Sequence, residues 1–284
     1  MKNLILRTAT GVLFVALLVG GMMAGATYFA VLFTIITALT LWEFAANINL
    51  SAGGRLNPFL LAAAGELIFL LCFALASGHG AGDHLTQNLL VALLLALILI
   101  PVSELYLKGG NPLRNWAYTF AAIVYIALPF GLLSFLAFPA EGGNDTGYVY
   151  ALPLSVFVFL WANDTGAYCV GSLLHRRFPA KLFPSVSPAK SWIGSIGGCL
   201  VTLGIAFAAH TMSDVLTLTQ WLGFGLTVCV AGTYGDLVES QMKRTLGIKD
   251  SGHLLPGHGG LLDRFDSSLL AIPASVIYLT LVCR

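Results

Sequence analysis

Charge is what this sequence has least of. Only 10% of its 284 residues are Asp, Glu, Lys or Arg, where a soluble domain carries about 25%. Hydrophobic residues make up 57%. That surplus of apolar side chains needs lipid as its solvent, so the chain reads as an integral membrane protein. A formal net charge of +1 leaves no basic footprint, which argues against a nucleic-acid partner. The five cysteines, Cys72, Cys169, Cys199, Cys229 and Cys283, lie in apolar runs without a Cys-x-x-Cys pair. They read as small buried hydrophobes rather than disulfides or zinc ligands. The sequence also lacks a Gly-x-Ser-x-Gly nucleophile turn, a His-x₃-His metal pair, a polar linker and a soluble domain.

What is present is long apolar runs. Nine are long enough to span a bilayer, at roughly 9–25, 28–46, 58–77, 88–107, 116–138, 149–174, 192–212, 218–235 and 267–283. The expected fold is therefore all-α and polytopic. It is one membrane-embedded domain over 1–284, with N-terminal helices in 1–138 and the chemistry in 149–284. With nine spans, the N-terminus and the loops after the even-numbered spans share one side, and 13 of the 14 Lys and Arg fall there. Basic residues are retained in the cytoplasm, so that side is predicted to be cytoplasmic, in a cell inner membrane.

The few charges are unevenly spent. Gly235–Ser268 holds nine of the 27: Asp236, Glu239, Lys243, Arg244, Lys249, Asp250, Asp263, Arg264 and Asp266. If the eighth helix continues past the membrane, Asp236, Glu239, Ser240 and Lys243 share one face, and Gly247 ends it. The backbone of Pro256-Gly257-His258-Gly259-Gly260 could approach a phosphate through its N–H groups. Asp263, Asp266 and Ser267 are expected on one face of the next helix. Hard oxygen ligands from separate segments suit Mg²⁺, and the surplus of acids leaves room for a monovalent cation such as K⁺ beside it. His253 and His258 read as loop or phosphate contacts rather than metal ligands.

Asp164 stands inside the sixth run. An aspartate at a helix centre costs about 2.5–3.5 kcal/mol on insertion scales, so it should face a polar cavity, a cation or a partner. Glu43 and Glu104, near span ends, and Glu66, deeper, read as snorkelling or structural groups. The basic loop after the sixth run ends in Ser187, Lys190 and Ser191. These adjoin a helix N-terminus that favours anions, as a phosphate clamp would require.

These residues resemble a known signature. Ser240-x-Met-Lys243-Arg244-x₄-Lys249-Asp250-x-Gly252-x₂-Leu255-Pro256-x-His258-Gly259-Gly260-Leu-x-Asp263-Arg264-Phe-Asp266 is similar to that of the phosphatidate cytidylyltransferases. So are Asn163-Asp164-Thr165-x-Ala167-Tyr168 and Gly235-Asp236-Leu-Val-Glu239-Ser240. The resemblance is strong over the C-terminal half and only in outline before it. It implies joining of CTP and phosphatidic acid to CDP-diacylglycerol and pyrophosphate, with Mg²⁺, at the cytoplasmic face. It places metal carboxylates at Asp164 and Asp236, with Asp250, Asp263 and Asp266 as further metal or substrate ligands. It is compatible with a homodimer.

One motif departs. The family commonly shows Ser-Pro-Lys-Lys-Thr/Ser-x-Glu-Gly, whereas here Ala189 and Ile193 replace the first Lys and the Glu. Ser187, Lys190 and Ser191 carry over; no acidic role passes to Ile193. The residues suit such chemistry in their own right. Phosphatidate already is a nucleophile, so the protein need supply only positioning and charge neutralisation. Asp164, Asp236, Lys243, Arg244 and Asp250 are the candidate catalytic groups. Ser187, Lys190, Ser191, Glu239, Ser240, Lys249, His258, Gly259, Gly260 and Arg264 are the candidate substrate contacts, and Asp164, Asp236, Asp263 and Asp266 the candidate metal ligands. Two alternatives stay open on the residues alone: a cytidylyltransferase or kinase acting on another membrane lipid, and an ion-coupled transporter built on Asp164.

Overall fold

The computed structural model describes residues 2–106, 110–139, 147–252, 254 and 259–283, with side chains from residue 7 onward. His253 and His258 lie outside the described residues. The helices are α1 (Lys2–Met23), α2 (Ala26–Ser51), α3 (Pro58–Ala76), α4 (His84–Glu104), α5 (Pro112–Ala122), α6 (Leu128–Ala137), α7 (Ala151–Leu174), α8 (Trp192–Met212), α9 (Leu218–Leu246), α10 (Leu262–Phe265) and α11 (Ser268–Val282).

An Asn-Pro pair starts two of them. The Asn57 side chain accepts hydrogen bonds from the Phe59 and Leu60 N–H groups, and Asn111 does the same for Leu113 and Arg114. The following proline, whose missing N–H is no loss there, fills the first helical position. A π-helical turn, Ile123–Ala127, joins α5 to α6 in one rod. Pro129 has no N–H to return to the Tyr125 carbonyl, and the ladder widens just before it.

Seven rods among the described residues are long and apolar enough to cross a membrane, including α2, α3, α4, α8 and α9. Helix α1 contributes a shorter apolar stretch, Arg7–Met23. Helix α7 stands outside the seven; Asn163, Asp164 and Thr165 interrupt its apolar run. Large side chains such as Val91, Leu94, Leu95 and Ile98 lie exposed along α4, as a helix bathed in lipid requires. The protein is thus a multi-pass, all-α membrane protein.

The chain divides into two compact units: Met1–Tyr150 with Thr245–Phe265, and Ala151–Arg244 with Asp266–Arg284. The first unit has an aromatic core. Phe130 meets Phe33 at 6.0 Å and Phe265 edge-on at 5.3 Å between ring centroids. The Tyr148 hydroxyl donates to the Met22 carbonyl at 2.6 Å. Glu104 does not snorkel: it accepts from the Asn115 amide at 2.9 Å, and Asn115 accepts from the Arg55 N–H at 3.0 Å.

In the second unit α7 and α8 lie nearly in backbone contact. A Cβ on Gly198 would meet Asn163 Oδ1 at 2.4 Å and its carbonyl at 2.5 Å. Thr202, one turn on, donates to the Phe159 carbonyl at 3.3 Å. Ring packing of Phe159 on Phe224, at 5.5 Å, joins α7 to α9. The basic segment, read as a loop, is instead an antiparallel hairpin of β1 (Lys181–Phe183) and β2 (Ser187–Ser191). Strands this short carry no readable alternation, which is why the sequence did not announce them.

The close approach at Gly198 gives a paired test. Gly198→Ala should lower the detergent melting temperature by several degrees, an overpacking cost of about 1–3 kcal/mol. Gly204→Ala on the same helix, where a Cβ meets nothing within 4 Å, should leave it unchanged or raise it.

Candidate active site

Helix α9 runs to Leu246 and stops at Gly247, whose φ is +68°. The predicted face is present. Ser240 Oγ donates to Asp236 Oδ1 at 3.1 Å, and Lys243 Nζ lies 2.6 Å from Glu239 Oε2. Glu239 is fully buried, so its charge is balanced within the protein rather than by water. The hairpin delivers Lys190 to the same helix: its Nζ is 2.6 Å from Asp236 Oδ2 and 3.5 Å from the Thr233 carbonyl.

Asp164 is exposed on α7 beside buried Asn163. Asn163 fixes this part of α7 against α9: its amide donates to Thr233 Oγ1 at 3.3 Å, and Cys229 Sγ donates to its Oδ1 at 3.1 Å. Asp266 occupies the break between α10 and α11, where Ser267 N–H donates to its Oδ1 at 2.5 Å. Backbone proximity holds it near Asp236: a Cβ on Gly235 would lie 2.8 Å from the Asp266 carbonyl. The charges of Asp236, Asp164 and Lys243 all act on the Asp266 carboxylate. Asp164, Lys190, Asp236 and Asp266, far apart in sequence, are thus electrostatic neighbours in one unit.

A cavity of 410 Å³ opens beside them, lined by Asp164, Lys181, Lys190, Ser191 and Thr233 among others. That volume lies in the range of small-molecule sites. Ser191 caps α8, accepting the Gly194 N–H at 3.2 Å. Ser187 lies at the other end of β2, opposite Phe183, and does not line the cavity. Arg244 is exposed near the end of α9.

The remaining signature residues belong to the first unit. Lys249, Asp250 and Arg264 are exposed. Asp263 is not on a continuous helix with Asp266, because the break at Asp266–Ser267 separates α10 from α11. Its Oδ2 accepts the N–H groups of Ser251 at 2.9 Å and Gly260 at 2.8 Å. The Gly260 N–H, expected to approach a phosphate, is therefore taken by the protein itself. Gly259 has φ +81° and packs against Asp263 and Asp250. Glu43, expected to be a snorkelling or structural acid at a span end, has a structural role here. It accepts from the Leu261 N–H at 2.8 Å, the Leu262 N–H at 3.1 Å and the Ser251 hydroxyl. Its one sequence signal was the cost of a carboxylate in an apolar run.

The donor chemistry around Asp266 fits a divalent cation. Asp164, Asp236 and Asp266 are hard carboxylates carried on three segments, and the charges of the first two both reach the third. Among the described residues no three His, Cys, Asp or Glu side chains are already gathered tightly enough to ligate one ion. Lys190 pairs with Asp236, while Lys243, paired with Glu239, also acts on Asp266 through its charge.

A family model described as the cytidylyltransferase family matches residues 5–282 of the chain. A phosphatidate cytidylyltransferase of Haemophilus influenzae is 33% identical over 262 residues, 87% of this chain and 88% of that one. Another, of Staphylococcus haemolyticus, is 31% identical over 270 residues, covering 94% and 95%.

The enclosed pair on α9 yields a stability test. Lys243→Met removes the cation 2.6 Å from the buried Glu239 carboxylate and should cost about 3–5 kcal/mol. Adding Glu239→Gln should recover most of that loss. Thermal unfolding of the two variants in one detergent checks the order.

Proposed function

The chain belongs to the cytidylyltransferase family, and on that basis we propose that it joins CTP to phosphatidic acid, forming CDP-diacylglycerol and pyrophosphate for phospholipid synthesis. The observation that carries the reading is the Lys190–Asp236 contact at 2.6 Å, beside Asp164, on the wall of a 410 Å³ cavity.

A phosphatidate oxygen attacks the α-phosphorus of CTP in line. The new P–O bond forms as the bond from that phosphorus to the bridging oxygen breaks, and pyrophosphate takes the electron pair. No proton need be removed from an already ionised phosphate, so no serine or cysteine intermediate is required. Lys190 and Lys181 hold phosphoryl oxygens in the cavity. Asp236 orients the Lys190 ammonium and is itself oriented by Ser240. Lys243 and Arg244 neutralise charge along α9. Lys249, Asp250, Gly259 and Arg264 are assigned substrate contacts on the strength of the signature.

Mg²⁺ is the proposed cofactor, with Asp164, Asp236 and Asp266 to hold it and Asp263 as a further candidate. When bound it would neutralise the triphosphate and the leaving pyrophosphate. The enzyme is proposed to lie in the cell inner membrane with this site on the cytoplasmic face, where 13 of 14 Lys and Arg are expected. Acyl chains then stay in the bilayer while the headgroup meets CTP. The family is compatible with a homodimer, and nothing in the charge balance calls for nucleic acid.

Three measurements test this. Purified protein given labelled CTP, phosphatidate and Mg²⁺ should yield CDP-lipid; absence of that product would sink the reading. Asp236→Asn should lose at least about a hundredfold in turnover while folding normally. For orientation, Lys249→Cys in a cysteine-free background should resist an impermeant thiol reagent in intact cells and react after lysis.

A further inference from the structure

Glu43 has more hydrogen-bonding work than a span-end acid needs. It sits on α2, distant in sequence from every signature residue, and its carboxylate ties together both flanks of the glycine-rich loop. On one flank it accepts the Ser251 hydroxyl; on the other it accepts the N–H groups of Leu261 at 2.8 Å and Leu262 at 3.1 Å. One turn further along α2, the Asn47 amide donates to the Ser251 carbonyl at 2.6 Å. The loop has been shaped around this carboxylate. A Cβ on Gly260 would lie 2.0 Å from Glu43 Oε1, and one on Gly252 would lie 2.6 Å from Oε2. At both signature glycines a side chain would push the Glu43 carboxylate out of these contacts.

The second carboxylate completes a knot. Asp263 Oδ2 accepts the Ser251 and Gly260 N–H groups, while the Ser251 hydroxyl accepts the Asp263 N–H at 3.2 Å. Ser251 is therefore held by both acids, and Glu43 is the one that anchors the knot to a membrane helix. The charged residues beside it, Asp250 before Ser251 and Arg264 after Asp263, point outward and are exposed. Their backbone positions are set by the knot, since each adjoins a residue within it.

We propose that Glu43 is a positioning residue for the reaction: it clamps the flanks Asp250–Gly252 and Gly259–Leu262 to α2, so that Asp250 and Arg264 are presented to the substrates as a fixed pair. Glu43 touches neither substrate. Its effect reaches the chemistry through the loop, and it rests on the proposed cytidylyl transfer. A carboxylate serves better than an amide here, because all of its contacts are donors and an amide nitrogen would face one of them with a further N–H.

The test combines exchange and kinetics on the full-length protein in detergent. In Glu43→Gln, amide hydrogen exchange at Leu261 and Leu262 should rise at least about tenfold, with α4 unchanged. The KM for CTP or phosphatidate should rise about tenfold, more than kcat falls, and the melting temperature should stay within a few degrees of wild type. Ser251→Ala, which removes one donor and keeps the acid, should show a smaller change in the same direction; it serves alone if Glu43→Gln does not fold. Unchanged exchange would overturn the clamp. Faster exchange with wild-type KM and kcat would leave Glu43 purely structural and overturn its role in the reaction. If wild-type protein made no CDP-lipid, the proposed function would fall and this role with it, whereas a failure of Glu43 alone shows only beside an active wild type.

Discussion

A carboxylate among apolar helices is costly, and the way four of them are answered organises this molecule. The cost of leaving a charge unmatched away from water is several kcal/mol, a large share of the net stability of any fold. Four acids show four responses. Glu104 takes a buried amide, Asn115. Glu239 takes Lys243 on its own helix. Asp236 takes Lys190 from the hairpin. Glu43 takes backbone N–H groups and a serine hydroxyl from the glycine-rich loop. The first two tie helices or close on themselves. The last two reach across the sequence, and they pin the hairpin and the loop, the irregular segments that carry signature residues.

Much of this was legible in advance, for identifiable reasons. Helices announce themselves by apolar length, and the seven membrane-length rods among the described residues fall on seven of the nine runs. The Asn-Pro starts of α3 and α5 and the Gly247 stop follow from local hydrogen bonding and a positive φ. The shared face of Asp236, Glu239, Ser240 and Lys243 follows from helical spacing alone. What stayed hidden depends on partners distant in sequence. The hairpin comprises three- and five-residue strands, too short for a pattern. The two-residue turn at Asp266–Ser267 carries neither glycine nor proline, so spacing does not reveal this interruption within the Leu262–Val282 rod. Glu43 showed only that it was expensive, because its partners lie about 210 positions away.

The same distinction separates the two glycine-rich features. Glycine next to glycine invites the idea of a phosphate cradle, since bare backbone can approach an anion closely. In this loop the approaching anions are the protein's own. Asp263 and Glu43 occupy N–H groups of Gly260, Leu261 and Leu262, and the glycines leave space for those carboxylates. Glycine at such a position reports close approach of some group without naming it. The open volume lies instead in the second unit, between Asp164, Lys181 and Lys190, where cationic side chains rather than backbone amides face the space.

That location bears on the departure at Ala189 and Ile193. Ala189 lines the cavity, so a lysine in the family pattern would add a second cation next to Lys190. Ile193 lies in the first turn of α8, where a glutamate would be favoured by the helix dipole. Losing both leaves the local net charge unchanged, one cation and one anion fewer. The contact that remains, Lys190 to Asp236, is the one that reaches α9. A nucleotidyl transfer that needs no proton abstraction can tolerate such a paired loss, because its demand is for positive charge held in place. Lys190 is held by Asp236 and the Thr233 carbonyl, and Asp236 is held by Ser240. In the proposed mechanism this anchoring matters because preorganised charge acts on the reaction without having to rearrange as it proceeds.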